Sequence, residues 1–207
     1  MSIVKLNNQA VKNATSFGSI SSLGSMVFIK KLTASSSATL SFVDGSDGVV
    51  LDDTYKEYLF TFNNMHPANN SIEFRFNGST DSGSNYNVTK TSTAFESAHY
   101  ENDSLTNFRY RGADLDLAQS TAFQPLTSDV GNLADECTSG ILQLFNPSST
   151  TFVKHYISTF NCYVANDQSQ ETFVAGYFNT TDSLDAFQFK FSSGNIDAGD
   201  ICLYGIA

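Results

Sequence analysis

The residues of this chain that could do acid–base or metal chemistry are few and widely spaced. The histidines are His66, His99 and His155, and none belongs to an HxH or HExxH pattern that would bring two imidazoles to one metal ion. His66 precedes Pro67 in a predicted turn, and His155 has the opposite strand phase to Tyr156. We interpret all three as surface or hydrogen-bonded structural residues, and the sequence predicts no metal site.

The acidic residues form only local pairs. A glycosidase needs two carboxylates about 5–10 Å apart across a bound sugar, whereas these pairs lie in predicted loops, where turn and solubility roles are typical. A pair assembled over long range stays open. The chain has no GxSxG elbow and no GxGxxG or GxxxxGK[ST] loop, so we predict no catalytic residue and no cofactor. The local pairs are Asp52–Asp53, Asp114 with Asp116, and Asp135–Glu136.

The segment DGSDG, from Asp44 to Gly48, has some of the residues of a calcium loop. An EF-hand needs oxygen ligands at positions 1, 3 and 5 and a later glutamate, but here position 5 is glycine and the glutamate is missing. We interpret this segment, and STDSGSN at 79–85, as plain turns.

The three cysteines favour free thiols. The number of cysteines is odd, and no two of them form a CxxC motif; they are Cys137, Cys162 and Cys202. Cys162 and Cys202 lie in strand-like runs, where a reduced, buried thiol typical of a cytoplasmic protein is expected. The N-terminus has no secretory pattern, and no stretch approaches the ~20 apolar residues of a membrane span. We therefore predict no membrane insertion.

Charge and composition narrow the range of partners. The 207 residues carry 11 Lys and Arg against 21 Asp and Glu, for a net charge of −10, which argues against nucleic-acid binding. The only adjacent basic pair, Lys30–Lys31, is interpreted as a solvated strand end. Exposed tyrosines beside Asn, Ser and Asp would suit sugar or protein contact, although we favour ordinary sheet-edge roles for them. These are Tyr55, Tyr86, Tyr100, Tyr110 and Tyr177.

From Met26 onward, apolar and polar residues alternate with a period of two, and turn signals recur about every ten residues. This pattern predicts an all-β domain over 26–207, an antiparallel β-sandwich of jelly-roll-like form with nine to eleven strands. Two hairpins are expected. One pairs 57–64 with 71–78, and the other pairs DAFQFKF with DICLYGI around a turn containing Gly194 and Gly199. The predicted inward stripes are Tyr58, Phe60 and Phe62; Ile72, Phe74 and Phe76; Phe187, Phe189 and Phe191; and Ile201 with Leu203.

Residues 1–25 differ from the rest, being rich in Ser, Asn and Gly with isolated apolar residues. Two interpretations stay open. The segment is either an unstructured leader or an extended arm whose apolar residues dock on a partner. The docking candidates are Val11, Phe17, Ile20 and Leu23.

Several segments together resemble small virion structural proteins of marine tailed phages, including those of cyanobacteria. They are LTASSSATLSF, YKEYLFTFNNMHPA, FNGSTDSGSNYNVTKTSTAF, DLAQSTAFQPL, LFNPSSTTFVKH, VAGYFNTTDSLDAFQFKFSSGNIDAG and the closing LYGI. These segments extend over most of 26–207. The resemblance is spread along the whole domain and includes no catalytic motif. The resemblance implies a β-sandwich unit attached to the particle through its N-terminal segment, assembled in the host cytoplasm and located in the virion.

Three functions were weighed against these observations. The leading hypothesis is a non-enzymatic virion protein displayed on the particle surface, as a capsid decoration or knob or as a tail-fibre component. It would contact other virion proteins and form a homo-oligomer, with a trimer expected because symmetric packing covers exposed sheet edges. The alternative is a receptor- or carbohydrate-binding module of the tail, with a host-surface glycan as partner. An enzyme such as a depolymerase ranks third.

Overall fold

The computed structural model describes residues 25–112 and 114–207, which fold into β-strands joined by turns and loops. No helix in this part of the chain is long and apolar enough to cross a membrane. The strands are β1 Met26–Thr33, β2 Leu40–Val43, β3 Glu57–Pro67, β4 Phe74–Ser79, β5 Lys90–Tyr100, β6 Thr106–Tyr110, β7 Gln124–Pro125, β8 Thr138–Phe145, β9 Lys154–Val164, β10 Gln168–Phe178, β11 Ala186–Phe191 and β12 Ile196–Ile206.

The strands form two antiparallel sheets packed face to face, which confirms the predicted β-sandwich. The wide sheet has the order β1-β12-β3-β8-β9-β10-β5-β6, and the narrow sheet has the order β2-β11-β4-β7. Among the eight strands β1–β4, β7, β8, β11 and β12, the chain changes sheet at every step except between β4 and β7, which both belong to the narrow sheet. This path through two four-stranded sheets is the winding of a jelly roll.

Two hairpins, β5–β6 and β9–β10, lie outside the eight jelly-roll strands and widen one sheet only. β10 pairs with β9 on one side and with β5 on the other, while β6 pairs with β5 at the outer edge. We call these four strands the extension. They lie beside β8, which is the last jelly-roll strand of the wide sheet.

The core between the two sheets is built from phenylalanine. Period-two alternation turns every second side chain of a strand inward, so the stripes of β3 and β11 face each other. Phe189 lies at the centre, with its ring centroid 5.1 Å from those of both Phe60 and Phe62. Its neighbours on β11, Phe187 and Phe191, are also buried, as the sequence predicts.

The predicted hairpin of 57–64 with 71–78 is wrong. β3 belongs to the wide sheet, where it pairs with β12 and β8, whereas β4 belongs to the narrow sheet. The connection between them carries the chain across the sandwich, so that the rings of Phe62 and Phe74 pack edge to face with centroids 5.6 Å apart.

The predicted closing hairpin is wrong for the same reason. β11 pairs with β2 and β4 in the narrow sheet, while β12 pairs with β1 and β3 in the wide sheet. Residues 192–195 make the crossing, and Gly194 has a φ of 71° that L-residues with a Cβ rarely adopt. Both strands still bury the predicted residues, including Ile201 and Leu203.

The inner face of the extension is polar and is covered by irregular chain. Lys90, Glu96 and Gln170 are almost fully buried there. The covering segment, 114–137, is held by side-chain hydrogen bonds. Tyr156 Oη donates to Gln124 Oε1 at 3.0 Å, and Ser128 Oγ donates to Gln170. The extension is therefore anchored from inside, which leaves its other face to solvent.

Candidate binding face

The outer face of the wide sheet, pointing away from the narrow sheet, carries apolar side chains that no other element of the described chain covers. Ile157 on β9 is 50% exposed and Ile141 on β8 is 45% exposed, although both lie within central strands. Apolar residues on the solvent side of an antiparallel sheet depart from the usual polar alternation. Such a patch marks a contact surface, and we call it the outer face.

An aromatic cluster occupies the part of the outer face formed by the extension. The rings of Phe95 and Phe173 stack with centroids 4.8 Å apart and planes 13° apart. Phe108 on β6 packs beside Phe95 at 5.6 Å and is 72% exposed. The cluster thus presents ring surface to solvent at the edge of the sheet.

An apolar depression of about 510 Å³ lies on the outer face over β10. Its floor is Ala175, whose register partners Ile157 and Thr93 stand on the neighbouring strands. His155 and Tyr177 form the end wall, with ring centroids 6.0 Å apart. The depression exists because a small residue lies in a row of larger ones. We call it the Ala175 depression.

A second, polar recess of about 340 Å³ lies at the opposite end of β10. Its floor is Ser169, which is the register partner of Tyr163 on β9 and of His99 on β5. Asn161 Nδ2 donates to Ser169 Oγ at 3.0 Å. An adjoining hollow of about 190 Å³ continues along Ser97 and Glu171. Together these recesses form a trough across three strands, which we call the Ser169 groove.

The surroundings of the Ser169 groove are negatively charged. Burial and then the carboxylates of Glu101, Asp167 and Asp135 raise the pKa of Tyr163 to about 12. His99 Nε2 lies 3.0 Å from Asp103 Oδ1. Clustered carboxylates repel anions, so the groove disfavours anionic ligands.

A cleft near residue 137 brings together a histidine, a cysteine and carboxylates, yet its geometry is not that of an activated nucleophile. His66 Nε2 faces the Leu133 carbonyl at 3.1 Å. Burial raises the pKa of the Cys137 thiol, whereas a reactive cysteine has its pKa lowered by a nearby cation. Among residues 25–112 and 114–207, no group of three or more His, Cys, Asp or Glu is placed to hold a metal ion.

The carboxylates singled out in the sequence serve local structure. Asp44 Oδ1 accepts the backbone N–H of Leu51 at 2.7 Å, which closes the DGSDG segment as a turn. Asp114 pairs with Arg111 at 2.6 Å, and that pairing lowers the pKa of Asp114. Glu136 accepts the N–H of Leu133 at 2.6 Å.

The tyrosines singled out in the sequence do not form one surface. Tyr177 lies in the wall of the Ala175 depression, and Tyr100 lines the Ser169 groove. Tyr110 is exposed on β6, where its hydroxyl donates to Asp116 at 2.7 Å. Tyr55 packs elsewhere, edge to face with Tyr58 at 5.7 Å. The carbonyl of Tyr86 accepts a hydrogen bond from Asn77.

The cysteines are all free thiols. Cys162 and Cys202 are buried as predicted, and burial raises the pKa of Cys162 to about 12. The docking candidates of the N-terminal segment lie outside the described residues; they are Val11, Phe17, Ile20 and Leu23.

Comparison with known proteins assigns no family to this chain. No family model, curated protein or solved structure matches this chain. The site therefore rests on the chain's own geometry.

The outer face was missed at the level of sequence, although a signal for it was present. Ile157 and Phe173 lie in strands whose inward residues have the opposite phase, so each strand carries some apolar residues on both faces. In an antiparallel sheet, apolar residues on both faces of a strand indicate either that other elements cover both faces or that one face is a contact surface. The grooves had no such signal, because their residues come from three separate strands.

Proposed function

We propose that this protein is a non-enzymatic structural component of a phage particle, displayed on its surface as a capsid decoration or knob or as a tail-fibre component. The sequence resemblance supports a virion role. The jelly roll is compatible with it, since viral capsid and lectin domains use this architecture, although fold alone does not imply function.

The observation that carries the proposal is that both free edges of the wide sheet expose apolar side chains. On β1, Met26 is 52% exposed and Phe28 is 56% exposed, and on β6, Phe108 is 72% exposed and Tyr110 is 58% exposed. Within residues 25–112 and 114–207, each edge strand pairs on one side only, β1 with β12 and β6 with β5. Open apolar edges invite association with another chain.

The occupant we propose for these edges is another copy of the same chain. Two different edges of one sheet make a head-to-tail contact when β1 of one copy lies beside β6 of the next, and such heterologous contacts close into rings. A trimer would cover every edge of the wide sheet. The N-terminal segment, which immediately precedes β1, would attach the ring to other virion proteins.

The oligomer is tested with aspartate substitutions at the two edges. We expect light scattering to give a trimer for the natural chain and a folded monomer for Phe28→Asp and for Phe108→Asp. Phe152→Asp is the matched control, since Phe152 is 70% exposed but lies in the loop between β8 and β9. A natural chain that is monomeric at high concentration would refute the proposed assembly.

Placement in the particle is tested by mass spectrometry and cryo-electron microscopy of purified virions. Symmetric copies over the shell would identify a capsid ornament, and density confined to the tail would identify a fibre component. Serine substitutions at Phe17 and Leu23 should abolish incorporation without unfolding the domain. Absence of the protein from purified virions would overturn the structural proposal.

A second candidate function, a receptor- or carbohydrate-binding module, is favoured by the Ser169 groove. That groove joins the ring-bearing residues His99, Tyr100 and Tyr163 to hydrogen-bonding side chains, a combination that is suited to sugar contact. The binding role and the proposed β1–β6 contact share the β6 edge through Phe108, whereas Ser169 and Asn161 lie inside the sheet on β10 and β9.

A further inference from the structure

We propose that the Ser169 groove and the adjacent aromatic cluster form a binding site for a neutral oligosaccharide. This inference rests on the binding-module candidate and is independent of where the protein sits in a particle. Its basis is the set of side chains that β5, β9 and β10 place side by side on the outer face.

The floor and walls of the groove are arranged for a flat ligand. Ser169 is a small residue between two ring-bearing neighbours, since its register partners are Tyr163 and His99. The recess of about 340 Å³ above it lies within the usual range for small-molecule sites, roughly 300–1,000 Å³. The groove is open along its length, so a chain of sugar units can lie across it without threading.

Hydrogen-bonding groups in the groove are available to a ligand. Asn161 uses its Nδ2 group on Ser169 Oγ and on the Gln170 carbonyl, and its Oδ1 is an acceptor that these two bonds do not occupy. In the next row, Ser97 and Glu171 are register partners, and neither side chain has a hydrogen-bond partner within the described chain. Sugar hydroxyls both donate and accept, so they can satisfy this mixture of groups.

The aromatic cluster borders the same groove. Phe108 is the register partner of Ser97, so its ring stands beside the hollow that Ser97 and Glu171 line. In the single chain 72% of Phe108 is exposed, so in a copy whose β6 edge is not paired with β1 of another copy, the ring can cover the apolar face of a pyranose while the polar row binds its hydroxyls. Exposed aromatic rings beside polar groups provide contact area at low entropic cost.

Local charge selects the class of sugar. Glu101, Asp103 and Glu171 surround the groove, and the cationic candidate among its lining residues, His99, is already engaged by Asp103. Sialylated, sulfated or phosphorylated ligands would be repelled by these carboxylates. The ligand we infer therefore carries hydroxyl or N-acetyl groups and no anionic group.

The experiment is ¹⁵N-edited NMR titration of the full chain with glucose, galactose, mannose and N-acetylglucosamine, followed by a glycan array containing neutral and anionic oligosaccharides. We expect amide shifts centred on Ser169, His99 and Ser97, and array signals for neutral glycans. No shift with any of these sugars, or array binding confined to anionic glycans, would overturn the proposal.

Two substitutions on the same strand separate the groove from the rest of the outer face. Ser169→Trp fills the groove and should abolish binding, while Ala175→Trp fills the apolar depression on the same face of β10 and should leave binding intact. Phe108→Ala should weaken binding by about tenfold, the loss expected for one stacking ring. Equal effects of Ser169→Trp and Ala175→Trp would also overturn the proposal.

Failure of this inference is distinguishable from failure of the virion role. Virion content is measured by mass spectrometry and sugar binding by titration. If the protein is present in symmetric copies in the virion but does not bind neutral sugars, the structural proposal stands and this inference is overturned. Neutral-sugar binding by a protein absent from virions would give the reverse result.

Discussion

Lys90 and Phe178 are register partners on β5 and β10, and Lys90 Nζ lies 5.6 Å from the centre of the Phe178 ring. The lysine is fully buried. Its ammonium donates to the carbonyl of Ala122 at 2.6 Å and to that of Val88 at 3.0 Å. The bond to Ala122 holds the covering segment, 114–137, against the start of β5.

This burial predicts a pH dependence of stability. Burial lowers the pKa of Lys90 from 10.5 to about 7, so between these values the unfolded chain binds more protons than the folded one. The free energy of unfolding should therefore rise with pH from about 7 to 10.5, and the contribution should level off below about 7. Its size should be on the order of a few kcal/mol.

The Lys90 prediction is checked by urea unfolding across this pH range. Lys90→Met should flatten the slope, because the titrating group is gone. Lys190→Met is the control, since Lys190 also lies over an aromatic ring, 4.5 Å from the Phe123 centroid, but is only half-buried. Equal slopes for the natural chain and Lys90→Met would contradict the prediction.

Phe189 should be among the most costly side chains to truncate. It meets rings from both sheets, including Phe42 at 6.2 Å and Phe60 at 5.1 Å. Phe189→Ala should lower the free energy of unfolding by about 3–5 kcal/mol, because a cavity remains at the centre of the core. Phe152→Ala, at an exposed loop position outside the proposed interface, should change it by no more than about 0.5 kcal/mol. Chemical denaturation compares the two, and a similar cost for both would argue against this core.

The pairing of Glu96 predicts unequal roles for two arginines. Glu96 is buried and accepts from Arg109 at 2.6 Å and from Arg111 at 2.5 Å. The Arg111 side chain is 11% exposed and that of Arg109 is 50% exposed. Arg111→Gln should cost about 1–3 kcal/mol, whereas Arg109→Gln should cost about 1 kcal/mol or less. Thermal and urea unfolding of both variants measure the difference, and the reverse order would contradict it.

Asp44 should stabilise its turn without calcium. Its carboxylate is occupied by the N–H of Leu51, a buried residue. Asp44→Ala should cost about 1–3 kcal/mol because that donor loses its partner. Asp53→Ala, at an exposed position nearby, is the control and should have little effect. Calcium should not change the melting temperature of the natural chain, and a clear rise on adding it would show that the segment binds the ion.

The sequence by itself determined which side chains face inward. Alternation with a period of two placed Phe187, Phe189 and Phe191 on one buried stripe, and the same rule predicted the burial of Phe60 and Phe62. Side-chain direction follows from the geometry of a single strand, so no knowledge of its neighbours was needed. The all-β class and the sandwich architecture followed from the same local pattern.

Only the tertiary structure decided which strands pair and where the binding face lies. Alternation with a period of two predicts which face of a strand is buried but not which strand it pairs with. Both predicted hairpins were wrong because the short connections β3–β4 and β11–β12 cross from one sheet to the other. The Ser169 groove depends on β10 lying between β9 and β5, which brings His99 beside Ser169 although 69 residues separate them in the chain. Long-range strand order comes from the burial of both inner faces together, which no local segment encodes.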